Sequence, residues 1–279
     1  MVRRLSFFDD SNASVWLDPI DLFLAVEVCE AFTEESKPLS ILEVGVFKGA
    51  WILSLGKNVP EIERLVGIDP YPGEHEGLRH QLPVRVADFG FADKFTHYDS
   101  WEDMAEGETR DELPSRFHVI HVDGDHTFDG AARDLAHVDG WLKTSGVVIV
   151  DDFFNPYYPG IASATYKFLE SRGFAMFALS RNKAYASRLD YHALWARRLR
   201  VALEASPLGF SVVEWRGLDE ASVGAARALD ESPEMLLCLD IDHRSELLPS
   251  ARDRRIRGIA KDWLPPKIGT WIQARLASR

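Results

Sequence analysis

Two short runs of this sequence carry more acid than packing needs. The first, His121-Val122-Asp123-Gly124-Asp125-His126, ends the apolar stretch Phe117–Asp123, and the second, Val150-Asp151-Asp152, ends Gly146–Val150. If the two stretches are neighbouring parallel strands, their ends open onto one crevice and Asp123 faces Asp151 and Asp152. Three carboxylates so placed repel one another unless they are protonated or bridged by a cation. A hard divalent ion with oxygen ligands relieves this, and Mg²⁺ is the common choice, with Ca²⁺ and Mn²⁺ as alternatives. Helix capping accounts for one of these acids, Asp125 ahead of a helix beginning near Thr127, but not for three on two strands. Asp125 and His126 follow on the turn that leaves this stretch, where a side chain could take a proton from an acceptor. Histidine has the more suitable ordinary pKa, about 6.5 against about 3.9 for aspartate. Neighbouring side chains of an extended segment point to opposite sides, so one of the two faces an acceptor.

A second constellation is the glycine turn Glu43-Val44-Gly45-Val46-Phe47-Lys48-Gly49. Gly45 allows a tight turn, and Gly49 lets a ligand approach the backbone. This is not the dinucleotide pattern G-x-G-x-x-G, because Phe47 stands at the second glycine position. The acid Glu43 also suits a cation better than a phosphate. Asp69 ends the next apolar run, where a carboxylate can accept hydrogen bonds from ribose hydroxyls.

These residues need strands and helices to hold them, and the patterning supplies both. Asp18-Pro19 opens a first helix, followed by Leu22, Phe23, Val26, Cys29 and Phe32 at helical spacing. Strands are predicted at Ile41–Val46, Leu65–Asp69, Phe95–Tyr98, Phe117–Asp123, Gly146–Val150, Phe174–Leu179 and Ala184–Arg188. Helices are predicted from Gly49, within 71–94, over Ala131–Leu142 and over Ile161–Leu169. Repeated β-α units imply an α/β fold, a mostly parallel sheet with helices on both faces. From about residue 191 the rhythm breaks into a basic amphipathic helix, two short strands near Phe210–Trp215 and Met235–Ile241, and an Arg252–Lys261 run read as a solvated face or subunit contact.

Composition limits the function. The 279 residues hold 32 Lys and Arg against 44 Asp and Glu, a net charge of −12 that disfavours nucleic acid as a partner. No run of about 18 apolar residues is present, so no membrane span is expected. Cys29 and Cys238 cannot build a disulfide scaffold, and a reducing, cytoplasmic location is expected. His121 reads as a satisfied sheet residue, Trp51 as core, and Trp101 equally as core or as a ring for stacking on an adenine. Tyr157 and Tyr158 are candidates for an aromatic platform.

With Glu43, Gly45, Gly49 and Asp69 in this register the sequence resembles the class I S-adenosylmethionine-dependent methyltransferases, whose first motif is E-x-G-x-x-x-G. The resemblance covers about residues 39–190 and implies a Rossmann-like sheet of seven strands with the last antiparallel. It places cofactor contacts at Glu43, Gly45, Gly49, Asp69, Asp99, Ser100 and Asp123. Residues 1–38 are then an N-terminal helical cap and residues 191–279 an extension, an annex or an oligomer contact. The run FHVIHVDGDHTFDGAARDLAHVDGWLKTSGVVIVDDF narrows the resemblance to metal-dependent O-methyltransferases of the macrocin and cephalosporin-hydroxylase type. That similarity implies Mg²⁺ on Asp123, Asp151 and Asp152, with Asp125 as base in the sugar enzymes and His126 where catechol-type relatives carry a lysine. The expected activity is methylation of a sugar or glycoside hydroxyl in a homo-oligomeric enzyme with a small-molecule or oligosaccharide acceptor. The rivals are a non-sugar acceptor, a nicotinamide oxidoreductase, and a non-catalytic binding protein on the same fold.

Overall fold

Short β-branched and aliphatic runs separated by amphipathic helices bury both faces of a parallel sheet, and the chain folds this way. The computed structural model describes residue 5 and residues 17–33, 38–108, 117–180, 182–205, 211–215 and 235–239. In chain order its elements are α1 (Pro19–Thr33), β1 (Leu39–Val44), α2 (Ala50–Asn58), β2 (Ile62–Ile68), α3 (Glu76–Asp88), β3 (Phe95–Tyr98), α4 (Trp101–Gly107), β4 (Phe117–Val122) and α5 (Phe128–Trp141). They continue with β5 (Leu142–Val150), α6 (Pro159–Arg172), β6 (Phe174–Leu179), β7 (Ala184–Arg188), α7 (Leu189–Ala205), β8 (Ser211–Trp215) and β9 (Met235–Leu239). The Arg252–Lys261 run lies outside the described residues.

The sheet order is β3-β2-β1-β4-β5-β7-β6-β9-β8. Its first seven strands are those expected from the sequence. β1 to β5 pair in parallel, and β7 runs antiparallel between β5 and β6. Beyond the expected seven, β9 adds in parallel to β6 and β8 pairs antiparallel with β9, so among the described residues the same sheet carries nine strands. The helix α4 has no counterpart in the apolar pattern; Ser100 caps it by accepting a hydrogen bond from the Asp103 N–H.

The strand period of two sorts the core into two layers. Ile41, Val119, Val147, Ile149 and Tyr185 pack on one face with α1, α2 and α7, while Leu42, Ile120, Val148, Val150 and Ala186 pack on the other with α5 and α6. α1 is apolar nearly all round, with Ile20, Leu22, Leu24, Ala25, Val26 and Cys29 fully buried. It is a layer of the core against α2 and α7. Among the described residues no helix is long and apolar enough to cross a membrane.

Candidate active site

The sheet register sets one row of residues along its carboxyl edge. Gly45 N donates to Ile68 O, Asp69 N to Tyr98 O, Asp123 N to Val44 O and Asp151 N to Val122 O, all at 2.8–3.0 Å. Four strands therefore end level, and Gly45, Asp69, Asp123 and Asp151 are the first residues past them. Three non-glycine residues at this edge have left-handed backbone: Phe47 (φ 47°), Tyr71 (φ 48°) and Asp152 (φ 54°). Such conformations persist only where surrounding contacts hold them. Asp69 does this for two of them, its Oδ2 accepting from Phe47 N at 2.7 Å and its Oδ1 from Tyr71 N at 2.8 Å. Tyr71 closes the loop by donating its hydroxyl to Phe47 O at 2.7 Å. Phe47 thus takes a glycine-like backbone at the position where its identity argued against a dinucleotide turn.

The glycines of the turn are required by the chain's own packing. A Cβ on Gly45 (φ +83°) would lie 1.8 Å from the Asp123 carbonyl oxygen. One on Gly49 (φ +78°) would lie 3.0 Å from Leu53 Cδ1 and 3.2 Å from Leu82 Cδ1. The nearest atoms at Gly49 are those of two leucine side chains.

Beneath the row is a buried polar chain. Glu43, His121, Asp151 and Lys183 share strand parity with Ile41, Val119, Ile149 and Tyr185, so all four face the layer of α1 and α2. Lys183 Nζ donates to Asp151 Oδ2 and, at 2.9 Å, to His121 Nε2. An ammonium has only protons to give, so His121 is the tautomer protonated on Nδ1, which faces Glu43 Oε1 at 3.1 Å. Glu43 Oε2 accepts from Ile52 N at 3.3 Å, and Trp51 stacks on the His121 ring at 4.2 Å. Burial, then the neighbouring Lys183 charge, holds His121 neutral, well below its ordinary pKa. Burial and the Asp123 charge raise the Glu43 carboxyl well above its usual range. Burial opposes the Lys183 charge, but Asp151, Asp21 and Asp123 outweigh it and keep the ammonium protonated. Glu43 was expected at the cofactor; it is 2% exposed, and its carboxylate anchors the first turn of α2 and His121.

Above this floor lies a more open group. The clusters whose donor atoms fall within 4.8 Å of one another, among the described residues, are His121–Asp123–Asp151 and Asp123–His126–Asp152. Asp123 belongs to both, whereas Asp151 and Asp152, expected together, fall in different clusters. His126 Nε2 lies 3.4 Å from Asp123 Oδ1 and 3.1 Å from Asp152 Oδ2, and its ring stacks on Tyr158 at 4.5 Å. Asp123 first and Asp152 second push the His126 imidazole up to about 10. Burial and the Asp151 charge push Asp123 up to about 7. Burial also raises Asp152, but hydrogen bonds from His126, Asn155 and Asn182 outweigh it and bring it down to about 2.

The other expected site residues stand apart from this group. Asp125 turns into the start of α5: its Oδ1 accepts from Thr127 N at 3.0 Å and its Oδ2 pairs with Arg133 at 3.7 Å. Asp99 pairs with Arg79, which also donates to Pro70 O at 2.9 Å. Ser100 serves as the α4 cap. Trp101 is buried, donates its indole N–H to Asp134 Oδ1 at 3.1 Å and stacks on His137, so it is core. Reading the sequence missed Lys183, Asn182 and Asn155. The polar run Ser180-Arg181-Asn182-Lys183 between two apolar strands marks a turn, but nothing local says that this turn lands on Asp151.

A curated relative, an uncharacterized protein of Acanthamoeba polyphaga mimivirus, is 26% identical over 128 residues, 44% of this chain. The match takes in 55% of that relative, so the chain spans about half the length of the curated protein it matches. Among solved structures, the O-methyltransferase TomG from Streptomyces achromogenes, in complex with SAM, is 18% identical, with 66% of this chain and 92% of that one covered and a TM-score of 0.46. A TDP-rhamnose 3'-O-methyltransferase of calicheamicin biosynthesis is 17% identical, with 61% and 78% covered and a TM-score of 0.46. A family described as a methyltransferase domain matches residues 42–153. That segment holds the glycine turn, Asp69 and the acid row up to Asp152.

Proposed function

We propose that the protein is an S-adenosylmethionine-dependent O-methyltransferase, assisted by a divalent cation, that methylates a hydroxyl of a sugar or glycoside. The observation that carries this reading is the Asp123–His126–Asp152 group, set beside the glycine turn at the edge of a methyltransferase domain. The donor chemistry fits the two groups the reading requires. Each Asp69 oxygen holds one backbone N–H and keeps a further lone pair for a ribose hydroxyl. Asp123 and Asp152 offer facing carboxylate oxygens to a hard cation. When bound, the cofactor supplies a methyl group already activated on a sulfonium, and a cation supplies the Lewis acidity that eases deprotonation of an alkyl hydroxyl.

The chain does the rest. Asp69 orients the ribose, and its hold on Phe47 and Tyr71 shapes the turn around it. Asp123 and Asp152 would hold the cation. With a cation on Asp123 and Asp152 their charge would no longer hold the His126 proton, and Nε2, once it had released that proton to water, would accept the proton of the hydroxyl. Displacement needs acceptor oxygen, methyl carbon and sulfur in line at about 3–3.5 Å. Tyr158, stacked on His126, and the exposed Tyr157 offer ring faces to the apolar side of a sugar. The sugar assignment draws on these rings and on the motif resemblance.

Calorimetric titration with S-adenosylhomocysteine and with NADH is the first test, and binding of the former alone is expected. A screen of nucleotide sugars and glycosides, read by release of S-adenosylhomocysteine, is the second. Turnover on catechols or other non-sugar hydroxyls alone would move the acceptor class, and no S-adenosylhomocysteine binding would remove the reading.

A further inference from the structure

Lys183 is a buried ammonium in the middle of an acid cluster. Its side chain is 3% exposed, and its position follows from the sheet register. Val150 pairs with Ala184 in the antiparallel β5–β7 ladder, so the next residues out, Asp151 and Lys183, stand side by side. The ammonium then takes up the inner cluster, Asp151 by Oδ2 and His121 by Nε2. The second Asp151 oxygen is also engaged, Oδ1 accepting from Asn182 Nδ2 at 2.9 Å and from Asp152 N at 2.7 Å. A divalent ion on Asp151 would compete with a charge of its own sign that has no route to water. The outer cluster differs. There the partner between Asp123 Oδ1 and Asp152 Oδ2 is His126, with a side chain 39% exposed and able to move aside.

We propose that Lys183 is the resident cation of the inner half of the acid cluster, neutralising Asp151 and withholding it from metal, and that a divalent cation is held by Asp123 and Asp152. This rests on reading the site as a cation-assisted methyltransferase and departs from the expected ligand set Asp123, Asp151 and Asp152. Asp152 has left-handed backbone, and its carboxylate accepts from Asn155 and Asn182 without help from Lys183.

The test is Mn²⁺ binding to the full chain by calorimetry and electron paramagnetic resonance, with S-adenosylhomocysteine affinity measured on the same samples. The double variant Lys183→Met/Asp151→Asn, which removes both charges, is expected to keep the Mn²⁺ Kd within threefold of the parent. Asp152→Asn is expected to weaken it tenfold or more. Lys183→Met alone frees a carboxylate and is expected to tighten Mn²⁺ at least tenfold, with Lys183→Arg restoring the parent value. If Lys183→Met does not fold, the double variant carries the decision. A tenfold loss in the double variant, unchanged affinity in a folded Lys183→Met, or no Mn²⁺ binding by the parent overturns the proposal. A parent that binds no S-adenosylhomocysteine fails the methyltransferase reading instead, so the two failures are distinct.

Discussion

Gly45→Ala should be among the most damaging single methyl additions in this protein. Two costs add. Alanine at φ +83° takes a left-handed conformation, at about 1–2 kcal/mol. Its Cβ would also stand 1.8 Å from the Asp123 carbonyl oxygen and 2.4 Å from its carbon, and both are backbone atoms that no rotamer change removes. Overpacking of this kind costs about 1–3 kcal/mol. The sum, about 2–5 kcal/mol, corresponds to a fall in melting temperature of roughly 4–20 °C for a chain of this size. Gly90→Ala is the internal control: its φ is +79°, with nothing within 4 Å of the added Cβ, so it bears the first cost alone. Thermal unfolding by circular dichroism of the two variants and the parent separates the terms. The β1 turn must move off Asp123 in Gly45→Ala, so Mn²⁺ affinity should fall as well, while Gly90→Ala leaves it unchanged. Equal melting temperatures for the two variants would refute the argument that the β1 turn is pressed against the end of β4.

Asp69→Asn keeps shape but weakens the acceptor, and S-adenosylhomocysteine affinity should drop about tenfold or more, since hydrogen bonds to a charged group contribute about 1.5–3 kcal/mol; calorimetry reads this directly. His126 has a folded pKa of about 10, above its ordinary 6.5. The stability it contributes is therefore complete below about pH 6.5 and lost as pH rises through about 10. The melting-temperature gap between the parent and His126→Gln, measured without added cation, should close over that window. Burial first, opposed by Lys183, raises Asp21 to about 7 from 3.8. The folded state then binds that proton more tightly than the unfolded one, and stability falls between about pH 4 and 7 and levels above. Asp21→Asn removes this slope, so urea unfolding should show the variant gaining on the parent from pH 4.5 to 7 and no further.

Much of this site is readable in local pattern. The alternation of apolar residues that announces β1, β4 and β5 already assigns Glu43, His121 and Asp151 to one sheet face, and the acid endings announce the crevice. Which of Asp125 and His126 faces Asp123 and Asp152 is not local. It depends on a turn in which Thr127 caps α5 and draws Asp125 with it. Lys183 was invisible for a different reason. Its place beside Asp151 is set by β7 entering between β5 and β6, a pairing of segments about thirty residues apart that no window of sequence contains. Trp101 shows a third case: an indole suited to stacking on an adenine satisfies its N–H at Asp134 on α5 instead, and only the packed structure distinguishes the two.

The reversed direction of β7 bears on the order in which the molecule can assemble. In a purely parallel sheet, residues at the carboxyl edge all follow their strands, and each arrives with the strand it ends. Lys183 precedes its strand and reaches that edge only because β7 runs the other way. During synthesis the acid row is complete at Asp152, and its buried counter-charge arrives some thirty residues later. A fragment cut at the limit of the matched domain, residue 153, would carry Asp151 without Lys183 and without the strand that covers β5. The matched segment alone leaves Asp151 without its buried counter-charge, so a fragment that folds is expected to extend at least through β7.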